Sequence, residues 1–142
     1  MQLKRETDFA VRILFCLNKC RIKSSGSRKT LLTLTEIASQ TGVPKTVAGR
    51  ICDYLMQKGI IESYVISEKQ EKGYCPTDEF LDFSLLDVID AVEGTAQLFS
   101  VFDKGSPAYK CCEAQIQGVH KAIEKTLYDL TLRFLFQNEE QT

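Results

Sequence analysis

The segment Thr33–Gly59, TLTEIASQTGVPKTVAGRICDYLMQKG, leaves room for little except two helices joined by a tight turn. Thr33 and Glu36 have capping-box spacing: the hydroxyl can accept from the Glu36 amide while the carboxylate reaches back to the Thr33 amide. The first helix is short and turns Leu34, Ile37 and Ala38 to one side. Gly42 suits the left-handed residue that closes it, and Pro44 suits the first turn of the next helix. There Val47, Ile51, Tyr54 and Leu55 form an apolar stripe, while Lys45, Thr46, Gly49 and Asp53 point the other way with Arg50 on the flank. A short helix, a glycine turn and a longer helix with a basic-tipped outer face is how DNA-binding proteins present a recognition helix. An ordinary αα-hairpin in a bundle fits this segment equally well.

The residues after Gly59 separate the two possibilities. Residues 60–66 (IIESYVI) read as a strand, 67–72 (SEKQEK) as a charged turn and 73–77 (GYCPT) as a short returning strand. A β-hairpin directly after a recognition helix is a wing, which a bundle does not predict. Within it Lys69 and Lys72 are candidates for phosphate, with Glu68 and Glu71 opposing them. Upstream, an opening helix over residues 5–19 buries Phe9, Ile13, Cys16 and Leu17. Residues 19–29 (KCRIKSSGSRK) then form a solvated Ser/Gly loop with five basic residues, among them the candidate DNA contact Arg28.

The charge distribution agrees. The net charge of −1 implies no polyanion partner, yet residues 1–50 hold ten Lys/Arg against three Asp/Glu, and residues 51–142 hold eight against sixteen. A basic first third on an acidic chain is a footprint of nucleic-acid binding, although a membrane-surface contact would look similar. The apolar run Phe9–Leu17 is preceded by Glu6 and Asp8 and broken by Arg12, which argues against a secretory signal. No run reaches membrane-spanning length. A cytoplasmic location is expected, with the six cysteines reduced unless they serve redox or metal chemistry.

Beyond the wing, residues 83–93 read as an amphipathic helix closed by Gly94, carrying Leu85, Leu86, Val88, Ile89 and Val92. A loop covers 95–108. Residues 108 to about 137 then read as one long helix. Its seam is Ile116, Val119, Ile123, Leu127, Leu130 and Phe134, with Tyr128, Leu132 and Leu135 to the side. Roughly thirty residues at 1.5 Å rise make a rod on the order of 45 Å, longer than a winged-helix core needs. Its natural partner is the same helix of a second subunit, since a two-fold dimer also spaces two recognition helices along DNA. The expected fold is therefore mainly α with a small β-hairpin. A winged helix-turn-helix occupies 1–80, and a linker helix with a long dimerisation helix occupies 81–142.

These pieces in this order resemble the IscR-like (Rrf-two) family of winged-helix transcriptional regulators. The most specific match is Ser84–Gly94 (SLLDVIDAVEG), close to the family's signature helix. The opening MQLKRETDFAVRIL, Glu36-Ile37-Ala38, residues 55–61 (LMQKGII) and Gly73-Tyr74 also fit. The resemblance implies a homodimeric, sequence-specific DNA-binding regulator, usually a repressor, with swapped C-terminal helices. Two departures stand out. The family wing is glycine-rich before its Gly-Tyr pair, with basic residues that enter the minor groove, whereas this chain has SEKQEK. Many members also hold an iron–sulfur cluster through three cysteines between the signature helix and the long helix. Here that region offers Phe99, Val101 and Phe102, then only the adjacent Cys111 and Cys112, which argues against such a cluster. The cofactor is left unknown. Asp8 matches an acidic N-terminal position that serves as a ligand in some relatives, and reads more plainly as a first-turn helix charge.

Cys16, Cys20 and Cys52 read as small buried hydrophobes. Cys75 is expected to be exposed on the wing. Cys111 and Cys112 open the long helix, where amides and dipole raise thiolate fraction. Together with Cys75 they are the candidate redox or metal-sensing residues. The single His120 has no nucleophile arranged beside it and there is no phosphate-binding glycine loop, so no enzyme is expected. The reading is a repressor binding duplex DNA through Lys45, Thr46, Gly49, Arg50, Lys69, Lys72 and Arg28. It would respond to a redox, metal, small-molecule or protein effector. The alternative is a winged-helix protein-interaction module that no longer binds DNA.

Overall fold

The computed structural model describes residues 5–23, 29–94 and 107–137. Arg28 and the segment 95–106 lie outside them. Helix α1 (Arg5–Lys23) runs one turn further than its apolar spacing suggested and buries Ala10, Ile13, Leu14 and Leu17. After it come β1 (Leu32–Thr33), α2 (Leu34–Thr41) and α3 (Lys45–Lys58). The capping box forms: the Glu36 amide donates to Thr33 Oγ1 at 3.2 Å, and the Thr33 amide donates to Glu36 Oε1 at 3.3 Å. Gly42, at φ 75°, ends α2 and donates to the Ala38 carbonyl at 3.0 Å. The Thr41 hydroxyl closes the turn, donating to the Ile37 carbonyl at 2.7 Å and accepting from the Val43 amide at 3.2 Å. Val43 plugs the corner and is fully buried. Pro44 stands one position before α3 rather than inside its first turn, and its carbonyl accepts from Ala48 at 2.8 Å.

The buried stripe of α3 is Ala48, Ile51, Cys52 and Leu55. Tyr54 is a correction: at 37% exposed it lies on the outer flank, 240° round the helix from Ala48 at 100° per residue. Strands β2 (Ile61–Val65) and β3 (Lys72–Pro76) form the hairpin, and β1 adds to β3, giving the antiparallel order β1-β3-β2. The register pairs Leu32 with Tyr74 and Ser63 with Tyr74, so Tyr74 sits centrally and buried. The third strand was not anticipated, because two residues carry no readable alternation. Gly73 in the central strand is needed for close approach: a Cβ there would stand 2.7 Å from Leu31 Cβ.

A 3₁₀ turn (Phe80–Asp82) leads to α4 (Leu85–Val92). A second capping box starts α4, the Asp87 amide donating to Ser84 Oγ at 3.1 Å and the Ser84 amide to Asp87 Oδ2 at 2.9 Å. Lys58 Nζ to Asp90 Oδ2, 2.7 Å, ties the end of α3 to α4.

The single long helix does not extend to residue 137. Helix α5 (Pro107–Asp129) stops, and α6 (Leu132–Leu135) starts afresh with Thr131 as its cap, accepting from the Phe134 amide at 3.2 Å. The break is stabilised by pairing with the linker: the Leu85 amide donates to the Leu130 carbonyl (2.7 Å) and the Leu132 amide to the Phe83 carbonyl (2.8 Å). Turning there buries Leu132 and Phe136, with the Phe136 ring 5.7 Å from Phe15 and 6.2 Å from Phe80. Burying two such side chains contributes about 1.5–3 kcal/mol each, more than a few exposed helical hydrogen bonds. Of the expected intersubunit seam, Ile123 and Leu127 instead pack on Ile89 of α4 in the same chain, while Val119 and Phe134 are 55% and 54% exposed. The main core draws on both sides of residue 80, joining Ile13, Ile51 and Ile60 to Val88, Leu132 and Phe136.

Candidate nucleic-acid interface

The outer face of α3 is built by position. Buried Ala48, Ile51, Cys52 and Leu55 fix the inward direction, so Thr46, Arg50, Asp53 and Gln57, all exposed, lead the opposite side. Lys45 is exposed at the helix start, where amide dipoles also favour an anion. Arg50 is thus central rather than flanking. Gly49 moves the other way: it is half-buried, and a Cβ on it would be 3.4 Å from Leu34 Cδ1. Its small size lets α2 and α3 pack, so it belongs to the helix–helix contact rather than the outer face. Gln57 and Tyr54 were missed. The i, i+4, i+7, i+11 spacing from Thr46 through Arg50 and Asp53 would have found Gln57. Arg50 Nη2 lies 3.6 Å from Glu6 Oε1 in the first turn of α1.

The wing turns at Ser67–Gln70. The Gln70 amide donates to the Ser67 carbonyl (3.0 Å), the Ile66 amide to the Glu71 carbonyl (2.8 Å) and the Glu71 amide to Ser67 Oγ (3.3 Å). Gln70 takes the left-handed conformation at φ 60°, where a glycine would be unstrained. Lys69 and Lys72 are exposed, as are Glu68 and Glu71. Tyr64, Val65 and Ile66 add an exposed apolar edge. Of the five basic residues expected in a loop, Lys19, Arg21 and Lys23 lie in the last turns of α1, and Lys29 is not simply solvated: it donates to Glu62 on β2 and lies 4.0 Å from Asp78. That hydrogen bond holds the Glu62 carboxyl below its usual range and raises the Lys29 ammonium.

The thiols divide by burial. Cys16 and Cys52 are core residues, as expected, and Cys20 is half-buried. Burial pushes Cys16 up to about 11 and Cys52 up to about 12. Cys75 is a correction: it is 2% exposed, its Sγ donates to Glu62 Oε1 at 3.6 Å, and burial with the Glu62 charge pushes it up to about 11. Its neighbour Tyr74 belongs to the core, so on the alternating strand Cys75 faces the other side of the sheet, where it is covered beside Glu62. Cys111 and Cys112 are exposed, in the fifth and sixth positions of α5, and Cys112 breaks helical geometry at φ −117°, ψ 16°. That is past the first turn, where the helix-terminal field is strong.

An iron–sulfur cluster wants four ligands in one place. Among the described residues no three His, Cys, Asp or Glu side chains converge. The adjacent thiols of Cys111 and Cys112, and the other four at Cys16, Cys20, Cys52 and Cys75, do not fit that group. Asp8 pairs with Arg12 at 2.9 Å, and His120 is half-buried on α5. No helix among the described residues is long and apolar enough to cross a membrane. A cavity of about 340 Å³ lies between α1 and α2, lined by Val11, Arg12, Phe15, Cys16, Lys19, Gln40 and Thr41. Its one thiol, Cys16, donates to Gln40 Oε1 at 3.1 Å and is too weakly acidic to serve as a nucleophile.

Comparison with known proteins points the same way. No curated protein matches the chain by sequence. The fold is similar to the oxidised form of CymR from Staphylococcus aureus, at 18% identity and TM-score 0.66, covering 95% of each chain. It is similar to IscR from T. potens, at 20% identity and TM-score 0.69, over 99% of this chain and 90% of that one. It is also similar to CymR (YrzC), described as the global cysteine regulator of B. subtilis, at 20% identity and TM-score 0.69, over 97% and 98%. At such identities the likeness establishes the winged-helix fold. The family profile described as "Rrf2: Iron-dependent Transcriptional regulator" matches residues 3–138, nearly the whole sequence, so the chain belongs to the Rrf2 family of DNA-binding transcriptional regulators.

Proposed function

We propose that this chain is a homodimeric, sequence-specific repressor in the cytoplasm that binds duplex DNA through the outer face of α3 and the adjacent wing. The observation that carries the reading is the exposed row Lys45, Thr46 and Arg50 on the second helix of a helix-turn-helix, with a β-hairpin directly after it. Arg50 reads a base edge or a phosphate, Lys45 and Thr46 hold phosphates at the helix start, and Lys69, Lys72 and Arg28 contact the flanking backbone. Gly49 serves by letting α2 and α3 close. The dimer forms through α5, where Val119 and Tyr128 are 55% and 65% exposed while Ile123 and Leu127 are already used against α4. The signal acts at Cys111 and Cys112, the exposed thiols; Cys75, being buried, takes no part. No catalytic step is assigned.

Fluorescence anisotropy of reduced, anaerobically purified protein tests this, using duplex from upstream of its own gene, a scrambled duplex and a salt series. Tight binding that prefers the native duplex and weakens steeply with salt is the expected result. A second reading, a protein-interaction module, is favoured by Glu68 and Glu71 on the wing and by exposed Tyr64, Val65 and Ile66 beside them. It predicts weak binding without sequence preference.

A further inference from the structure

Arg50 is the cation at the centre of the α3 face, yet its guanidinium does not stand free. Its ion pair among the described residues is to Glu6, 3.6 Å away on a different helix, with the two side chains 51% and 36% exposed. Asp53, one turn along the same helix, makes no such pair with it among the described residues. We propose that Glu6 is a positioning residue that withholds Arg50 from the phosphates any DNA offers, and so sharpens discrimination between the right sequence and all others. The inference rests on the DNA-binding reading above.

The physical argument compares two complexes. On an arbitrary duplex Arg50 gains one phosphate contact. To make it, the guanidinium exchanges one anion for another and leaves the Glu6 carboxylate unpaired beside a polyanion. That exchange yields little. On a matching duplex a purine edge in the major groove offers two acceptors in a plane, which the guanidinium fork meets with two N–H groups. Arginine has five donors, so the remaining N–H groups can stay turned toward Glu6. Glu6 therefore weakens the unspecific complex more than the specific one.

Glu6→Gln tests this, with Asp8→Asn as the control. Asp8 is also a first-turn acid of α1, but it pairs with Arg12 at 2.9 Å and not with Arg50. Anisotropy is measured on the preferred duplex and on a scrambled one between 50 and 200 mM salt, with melting temperatures confirming that each variant folds. Glu6→Gln is expected to bind the scrambled duplex roughly three- to tenfold tighter at low salt and to change the preferred duplex less than about twofold. One added phosphate contact steepens the salt slope by about 0.9, so the gain shrinks about threefold to fourfold across that range. On an Arg50→Ala background the extra effect of Glu6→Gln over Asp8→Asn disappears. If Glu6→Gln merely matches Asp8→Asn, or keeps its effect without Arg50, the proposal is wrong while DNA binding stands. If wild type binds no duplex even at 50 mM salt, the DNA-binding reading fails and takes the proposal with it.

Discussion

Leu132→Ala and Phe134→Ala together decide how the C-terminus is built. Leu132 is fully buried beyond the break at Leu130–Thr131, whereas Phe134, on the next face, is 54% exposed. In an uninterrupted helix the roles reverse, because Phe134 continues the seam through Ile123 and Leu127 while Leu132 sits to its side. Removing three carbons at about 0.8 kcal/mol per methylene costs roughly 2.4 kcal/mol for Leu132→Ala. The unfilled cavity takes the total to about 3–4 kcal/mol. Phe134→Ala, starting half in water, costs below about 1 kcal/mol. Urea unfolding of the reduced protein at one fixed concentration, monitored by far-ultraviolet circular dichroism, gives both values. A larger loss for Phe134→Ala than for Leu132→Ala would refute the turn and restore the unbroken rod.

Local chemistry sets three further outcomes. Gln70→Gly relieves a left-handed residue at the wing tip; conformational relief of about 1 kcal/mol or more against a glycine entropy cost of about 0.5–1 leaves a net gain of about 0.5 kcal/mol by thermal unfolding. Glu62 is held below its ordinary range by Lys29, so its contribution to stability is full above pH 4.5 and fades as pH falls through the lower folded value. Glu62→Gln should accordingly lower the melting temperature at pH 7 and lose that difference as pH falls through the lowered folded value. Native protein treated with a maleimide should take up label first at Cys111 and Cys112, with Cys16, Cys52 and Cys75 labelled only on unfolding, as resolved by peptide mass. Early labelling at Cys75 would contradict its burial against Glu62.

Where the sequence was legible, local rules and burial agreed. Thr33 with Glu36, and Gly42, are read by spacing and backbone freedom alone, and the turn forms as those rules require. The hairpin and the α4 segment were legible for the same reason. The misreadings all arise where a distant partner decides. Leu130–Phe136 has helical periodicity, but the strand-like pairing of Thr131 with Ser84 and the pocket for Leu132 override it. Cys75 looked exposed because a wing is usually wet, yet it stands opposite Glu62 on β2 and is buried beside that side chain. Gly49 looked outward from α3 considered alone, and only the approach of Leu34 on α2 shows its purpose. The Glu6–Arg50 pair joins residues 44 positions apart, which no periodicity reports.

The central claim is that the outer face of α3 reads DNA, and Arg50→Ala tests it most directly. Binding of the variant and of wild type to the preferred duplex is compared at one salt concentration, with unchanged circular dichroism as the folding control. A loss of about 1–3 kcal/mol, roughly 5- to 150-fold in affinity, together with relaxed preference for that duplex, is the result predicted. Equal affinity and equal preference would remove Arg50 from the interface and contradict that claim.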